Sequence, residues 1–233
     1  MQATSEKKIK VVYIEDDPLW GDVIAKILKR SRWCEFMGVG RCGKDGLALV
    51  QRSVPKVVIV DLMLPDCSGR ELVERLNSVG TDTRLLLLTV VLNDSTMLMI
   101  ADQLVHGIVW KNTCIVNSLP RIVREVALGG SYVPQEIRMA VNALRTGPDA
   151  YCKMLSKREM ELLPMLGHGD SNQDIGAAFS ISPLTVKFHR EKIMQKLGIH
   201  SSDRLIRWAA EKGFSSFFSP ALGLSKPVRG LVQ

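Results

Sequence analysis

The sequence lacks the features of a membrane-spanning or disulfide-bonded protein. No run of 18 or more apolar residues occurs among its 233 residues, which excludes a helix that crosses a bilayer. The first residues contain no apolar signal core and lead directly into a predicted strand. The five cysteines are scattered and form no Cys-x-x-Cys pair, a pattern that favours free thiols over disulfides or a zinc site. These absences predict a cytoplasmic protein without membrane contact.

Positive charge is concentrated in the second half of the chain. The formal net charge is +7, and residues 129–233 hold 14 lysines and arginines against nine aspartates and glutamates. Residues 1–128 are nearly balanced, with 17 basic and 15 acidic residues. A basic domain is what contact with nucleic acid phosphates requires. The length suits two modest domains, each able to bury a core.

A short, capped, basic helix is predicted to begin at Ser182. Ser182 fits an N-cap and Pro183 the first helical position, where a missing N–H costs nothing. Val186, Ile193 and Leu197 fall on one face of this helix. The other face carries Lys187, Arg190, Glu191, Lys192 and Lys196. Such a face is typical of a solvated surface helix, and it also suits entry into a DNA major groove.

Two further helix starts precede this one. Ser156 and Glu159 have the spacing of a capping box, and Ser171 caps a second helix that carries Asp174 in its first turn. A tight connection at Ser180-Ile181 joins the second helix to the basic one. Two short helices joined in this way form a helix-turn-helix.

Residues 155–211 resemble the DNA-binding domain of NarL/FixJ (LuxR-type) transcription factors. The resemblance is carried by Arg158-Glu159, Ser171-Asn172, Ile175, Ile181-Ser182, Thr185-Val186-Lys187, His189 and Lys196-Leu197-Gly198. It implies double-stranded DNA as the partner, a homodimer on the DNA, and pairing through the helix after Gly198. Lys187, Phe188 and Glu191 are then expected to face base edges. Either contacts to phosphates or positioning of the helix are expected from Thr185, His189, Arg190 and Lys196. Pro164 departs from the family and is expected to kink the first helix of the domain.

The first half of the chain alternates short apolar segments with amphipathic helices. The predicted strands are Lys10–Ile14, Phe36–Val39, Val57–Val60, Leu85–Leu88 and Ile108–Trp110. Continuously apolar strands separated by helices indicate a parallel sheet that is buried on both faces. The predicted fold is therefore an α/β, flavodoxin-like (βα)5 domain, followed by an all-α, four-helix helix-turn-helix domain.

Polar residues stand at or just past the carboxyl ends of these strands: Glu15, Asp16, Asp61, Thr89 and Lys111. In parallel sheets the ligand crevice lies outside those ends. Three carboxylates there repel one another unless a cation or protons neutralise them. Oxygen ligands favour Mg²⁺, a lysine and a hydroxyl suit phosphoryl oxygens, and an aspartate is a possible phosphoryl acceptor.

Residues 8–128 resemble the receiver domain of a two-component response regulator, through these five residues, the loop Asp61-Leu62-Met63-Leu64-Pro65, and Gly69. The resemblance implies that Asp61 accepts a phosphoryl group from a sensor histidine kinase. It implies Mg²⁺ ligands from Glu15, Asp16, Asp61 and the backbone carbonyl of Met63, and phosphoryl contacts from Thr89 and Lys111. No catalysis is expected beyond the receiver's own phosphoryl transfer and dephosphorylation. The unphosphorylated receiver is expected to cover the recognition helix, and phosphorylation to release or dimerise the DNA-binding domain.

Two departures from the receiver pattern leave an alternative open. The family's switch aromatic usually lies three residues before the lysine, where this chain has Ile108, and Val90 follows Thr89 in place of a smaller residue. A phosphorylation-independent, partner-gated DNA-binding regulator is therefore the second hypothesis. An aspartate-nucleophile phosphatase is a third, but such enzymes carry a second aspartate two residues after the nucleophile, where this chain has Met63.

The predicted domain boundaries follow from these assignments. The receiver domain is expected over 1–128, a linker over 129–152, the helix-turn-helix domain over 153–213, and a tail without an assigned role over 214–233. Gly129 and Gly130 are expected to end the last receiver helix, and Pro134 prevents its continuation.

Overall fold

A computed structural model of the chain describes residues 7–79, 82–90, 92–111, 118–147 and 150–215. Its strands are β1 (Ile9–Ile14), β2 (Cys34–Gly40), β3 (Val57–Val60), β4 (Arg84–Thr89) and β5 (Gly107–Trp110). The receiver half contains the helices α1 (Pro18–Arg30), α2 (Gly43–Ser53), α3 (Gly69–Ser78), α4 (Asp94–Ala101) and α5 (Leu119–Ala127). Six helices follow: α6 (Gln135–Thr146), α7 (Tyr151–Met154), α8 (Lys157–His168), α9 (Asn172–Phe179), α10 (Pro183–Lys196) and α11 (Ser202–Glu211).

The five strands form one parallel sheet in the order β2-β1-β3-β4-β5. Successive residues of β1 pack into two different apolar layers, because neighbouring side chains of a strand point to opposite faces of the sheet. Val12 and Ile14 belong to the layer with α2, α3 and α4, whereas Val11 and Tyr13 belong to the layer with α1 and α5. The flavodoxin-like prediction is confirmed, and each predicted strand lies within an observed one.

The sequence pattern did not locate α3 and α4, which have clear caps in the structure. The Ser68 side chain accepts a hydrogen bond from the backbone of Glu71, and Asn93 does the same for Thr96. Both helices begin shortly after the carboxyl end of a strand, so their first turns lie at the same edge of the sheet as Asp61 and Thr89.

The helical domain forms as predicted. Ser156 and Glu159 make the capping box of α8, Ser171 caps α9, and Ser182 caps α10 with Pro183 in its first turn. Val186 and Ile193 are fully buried against the other helices of the domain. Helix α8 continues through Pro164 to His168.

The segment between the two domains is packed against the receiver. Helix α6 contacts α4, and its Ile137 and Val141 are buried in the receiver core. Tyr132 pairs with the start of β5, where the Ile108 N–H donates to its carbonyl at 2.8 Å. Within the described ranges no helix combines the length and apolarity needed to cross a bilayer. The four cysteines that fall within them are free thiols.

A partly buried ion pair joins α8 to α10 in the helical domain. The Glu159 carboxylate accepts hydrogen bonds from the Lys196 ammonium and the Ser156 backbone N–H, both at 2.6 Å. Burial by itself raises the pKa of Glu159, but these hydrogen bonds outweigh it and bring the pKa below its ordinary value of 4.5. The ionised carboxylate therefore stabilises the fold.

Acidification is expected to weaken this domain. The pKa of Glu159 is lower in the folded protein than in the unfolded chain, where it is near 4.5. The ionised carboxylate therefore contributes its full stabilisation above that pH, and the stabilisation is lost as the pH falls through the pKa of the folded state. Glu159→Gln is expected to lose roughly 1–2 kcal/mol at neutral pH and to respond less to acid. Urea unfolding followed by circular dichroism across this pH window measures both effects. Glu161→Gln, which disturbs an exposed pair with Arg158, serves as the control. Parallel pH curves for Glu159→Gln and wild type would contradict the assignment.

Candidate functional site

Three carboxylates meet at the carboxyl edge of the sheet. Glu15 and Asp16 follow β1, Asp61 follows β3, and ligand oxygens from all three lie within 4.8 Å of one another. Glu15 and Asp61 are buried, whereas Asp16 is exposed. The sequence prediction that these residues converge is confirmed by their positions.

The Lys111 ammonium bridges the two buried carboxylates. Its Nζ lies 2.5 Å from Glu15 Oε2 and 2.6 Å from Asp61 Oδ2. The backbone N–H of Lys111 also donates a hydrogen bond to the Thr89 carbonyl at 3.0 Å, which joins the ends of β4 and β5. The same ammonium lies over the ring of Trp20, 5.2 Å from its centroid. All five predicted polar residues are therefore gathered at one edge of the sheet.

Both buried carboxylates also accept hydrogen bonds from backbone N–H groups. Asp61 Oδ1 accepts from the N–H groups of Leu62 at 2.6 Å and Met63 at 3.3 Å. Glu15 Oε1 accepts from the Asp17 N–H at 3.2 Å. Burial raises the pKa of Glu15 against the opposing hydrogen bonds from Lys111 and Tyr13.

The donor set fits a hard divalent cation. Three carboxylates offer only oxygen atoms, and the exposed Asp16 leaves one side of the cluster open to water, as Mg²⁺ prefers. Glu15, Asp16 and Asp61 are the side chains that would hold it. The role predicted for the Met63 carbonyl stays a prediction.

The residues at the two departures noted in the sequence differ in their burial. Ile108 is buried in the core layer beneath α4, where the family places an aromatic residue. The side chain of Val90, next to Thr89, is half-exposed, and so is that of Trp110.

The outer face of α10 is exposed among the residues that the structure describes. Leu184 is 74% and Phe188 53% exposed, although both are large apolar side chains. Lys187 and Glu191 form a loose pair at 4.0 Å on the same exposed face, and the Lys192 ammonium lies 4.4 Å from the centre of the Phe188 ring. The expectation that the receiver covers the recognition helix is therefore wrong for this structure, because the receiver docks elsewhere.

Three of the four other predicted DNA contacts have polar partners within the domain. Arg190 donates to the Asn172 side chain at 3.1 Å and the Asp170 carbonyl at 2.9 Å, and burial lowers its pKa. Lys196 is paired with Glu159, and the Thr185 hydroxyl lies 2.8 Å from that of Ser182. His189 is half-buried beside Phe188. Arg190, Lys196 and Thr185 therefore make polar contacts within the domain.

Leu184 was missing from the predicted contacts. It lies one helical turn before Phe188 and away from the buried Val186, so helical periodicity could have identified it. An exposed apolar side chain on this face suits contact with a thymine methyl group.

The helical domain docks on the amino-terminal end of α4. The Ser95 N–H donates to the Lys212 carbonyl at 3.0 Å, and the Lys212 ammonium lies 2.9 Å from the Asp94 carboxylate. Leu98 of α4 is buried in the core of the helical domain with Phe214. A small cavity of about 90 Å³ at this junction is lined by residues that include Met63, Ser68, Asn93, Pro164 and Gly213. The loop after Asp61 and the segment after α11 therefore line the same cavity.

Comparisons with known proteins assign both halves. Residues 11–119 match the response regulator receiver domain, and residues 153–209 match the luxR family of bacterial regulatory proteins. The response regulator protein VraR of Staphylococcus aureus is 27% identical over 202 residues, which are 86% of this chain and 96% of VraR.

Solved structures share the fold. RcsB from Salmonella enterica serovar Typhimurium, bound to promoter rprA in the presence of phosphomimetic BeF3⁻, has a TM-score of 0.64 at 20% identity. An RcsB–DNA complex has a TM-score of 0.58 at 20% identity. Each comparison covers 88% of this chain and 99% of the RcsB chain.

Proposed function

Because this chain belongs to the two-component response regulators that join a receiver domain to a LuxR-type DNA-binding domain, we propose that phosphorylation of Asp61 controls its regulation of transcription. The arrangement that carries the proposal is the Lys111 ammonium between Glu15 and Asp61. It gathers a nucleophile, a cation for phosphoryl oxygens and a set of metal ligands at one edge. The partners are double-stranded DNA and a sensor histidine kinase, in the cytoplasm, with a homodimer on the DNA.

The chemistry follows from the positions of the side chains. An Asp61 carboxylate oxygen attacks the phosphorus of a phosphohistidine on the kinase, the P–N bond breaks, and the imidazole leaves as an acyl phosphate forms. Lys111 exchanges its contact with Asp61 for a phosphoryl oxygen, and the Thr89 hydroxyl donates to another. Bound Mg²⁺ would offset the negative charge of the carboxylates and the phosphoryl group. The chain needs no further enzymatic activity for this role.

The signal reaches the DNA-binding domain through α4. Thr89 ends β4, and the short connection after it leads to Asn93 and Asp94 at the start of α4. A shift of this connection toward the phosphoryl group changes the position of the Ser95 N–H that binds the Lys212 carbonyl. Two discrete packings of such an interface are a common switching device.

Docking fixes the orientation of the DNA-binding domain while leaving α10 exposed. The segment that contacts α4 directly follows α11, the helix that the family resemblance assigns to pairing of DNA-binding domains. Release of this segment frees the domain to pair with a second copy and to place two recognition helices on adjacent half-sites.

A partner-gated regulator is the second candidate, because Ile108 stands in place of the switch aromatic and is buried in the core layer. Such a regulator would bind DNA through the same domain as the first candidate, but its DNA binding would not change when a phosphodonor is added.

Phosphorylation is tested by intact-mass measurement after incubation with acetyl phosphate and Mg²⁺, followed by size-exclusion chromatography. We expect one added phosphoryl group on wild type, none on Asp61→Asn, and a shift of the phosphorylated protein alone to a dimer. Equal behaviour of the two proteins would contradict the proposal. Specific DNA binding that ignores phosphodonor would favour the partner-gated regulator.

Domain release is tested without phosphate by Gly213→Ala. Gly213 has a φ of +78°, and a Cβ added there would overlap the Asn93 side chain across the junction. We expect the unphosphorylated variant to expand, measured as a larger radius of gyration by small-angle X-ray scattering.

Gly198→Ala is the matched control for backbone strain. Gly198 also follows a helix, with a φ of +65°, but a Cβ there meets no described atom within 4 Å. Both substitutions are expected to cost about 1–2 kcal/mol through the left-handed backbone, and only Gly213→Ala to separate the domains. Equal compactness of both variants would contradict the docking contact as the restraint.

A further inference from the structure

A fully buried tyrosine contacts the phosphoacceptor site from below. Tyr13 lies in β1 two residues before Glu15, on the same face of the strand, with its ring in the apolar layer beneath α1 and α5. It is completely inaccessible to solvent, and its hydroxyl donates a hydrogen bond to Glu15 Oε2. The hydroxyl is therefore the polar end of a core residue, and it is directed at the acidic cluster.

The Glu15 carboxylate receives donors of two kinds. Oε2 accepts from the Tyr13 hydroxyl and, at 2.5 Å, from the Lys111 ammonium, and Oε1 accepts from the Asp17 N–H at 3.2 Å. Lys111 is shared with Asp61 and is the one side-chain donor here expected to move toward a phosphoryl group. The tyrosine is anchored in the core and cannot follow it.

A neutral donor suits this position better than a second cation. Glutamate has three rotatable side-chain bonds, so a buried Glu15 that lost its Lys111 contact would either remain without a side-chain donor or follow the ammonium away from the metal ligands. The Tyr13 hydroxyl satisfies the same oxygen without adding positive charge that would repel Mg²⁺.

We propose that Tyr13 is a positioning residue of the phosphoacceptor site, which holds the Glu15 carboxylate in place for Mg²⁺ while Lys111 changes partners. The inference rests on the proposed function for the identity of the ion. It adds a residue to the site that acts through Glu15 and touches neither the metal nor the phosphoryl group.

The experiment measures Mg²⁺ affinity of the full chain by isothermal titration calorimetry, without phosphodonor. Tyr13→Phe keeps the ring and removes the hydroxyl, and we expect it to weaken Mg²⁺ binding roughly tenfold, as the loss of a hydrogen bond to a charged acceptor predicts. Tyr132→Phe, which removes a hydroxyl from a residue packed on the same apolar layer, is expected to bind Mg²⁺ like wild type.

A double-mutant cycle with Glu15→Gln separates positioning from a general effect on the core. If Tyr13 acts through Glu15, adding Tyr13→Phe to Glu15→Gln changes the Mg²⁺ affinity by less than about twofold. A second readout is the fluorescence of Trp20, whose ring lies beside the Lys111 ammonium. The Trp20→Phe variant shows which part of the tryptophan fluorescence comes from Trp20. In Tyr13→Phe we expect the change in Trp20 fluorescence to occur at a higher Mg²⁺ concentration than in wild type.

The outcomes are distinct. An unchanged affinity in Tyr13→Phe, or the same loss in both Glu15 backgrounds, would overturn the role of Tyr13 and leave the proposed function intact. A wild-type protein that binds no Mg²⁺ would overturn both the metal site and this inference.

Discussion

The Lys111 ammonium holds two buried carboxylates together at the edge of the sheet where β1, β3 and β5 end. Without a cation, Glu15 and Asp61 would repel each other in a place that water reaches poorly. Removing one member of a buried ion pair typically costs about 3–5 kcal/mol, so this edge of the metal-free fold depends on the contact. The same lysine must give up part of that contact for a phosphoryl group to bind. Stability and reactivity of the site are therefore set by one side chain.

The neighbouring residues determine how far that exchange is transmitted. Lys111 is joined to Thr89 through the backbone, and the chain after Thr89 leads to the amino-terminal end of α4. There the Lys212 carbonyl accepts a hydrogen bond from the Ser95 N–H, while Leu98 is buried in the other domain. The phosphoacceptor edge and the DNA-binding domain are thus linked by a short series of packed elements.

The strands, the strand-end site residues and the helix caps could be predicted because each is marked by a pattern of neighbouring residues in the sequence. The parallel sheet followed from continuous apolar strands, and the meeting of Glu15, Asp61 and Lys111 followed from the shared edge of strand ends. The capped helices of the DNA-binding domain followed from Ser156, Ser171 and Ser182. The hydroxyl of Tyr13 could not be predicted in this way, because a tyrosine in an apolar strand is indistinguishable from any other core residue.

Contacts between distant segments were also beyond the sequence pattern. No local signal indicates that Lys212 meets Ser95. The expected covering of α10 is wrong for this structure, because docking uses the segment that follows α11. The sequence predicts phosphate contact or positioning for Arg190 without choosing between them, because its bonds to Asn172 and Asp170 depend on how α9 packs against α10.

The most direct measurement of the coupling is hydrogen–deuterium exchange at the junction between the domains. Peptides covering Asn93–Ala101 and Trp208–Phe214 would be compared with and without BeF3⁻ and Mg²⁺, in wild type and in Asp61→Asn. We expect faster exchange of both peptides in wild type alone, since the Ser95 N–H and the amides after α11 lose their docked environment. Unchanged exchange in wild type loaded with BeF3⁻ would contradict it.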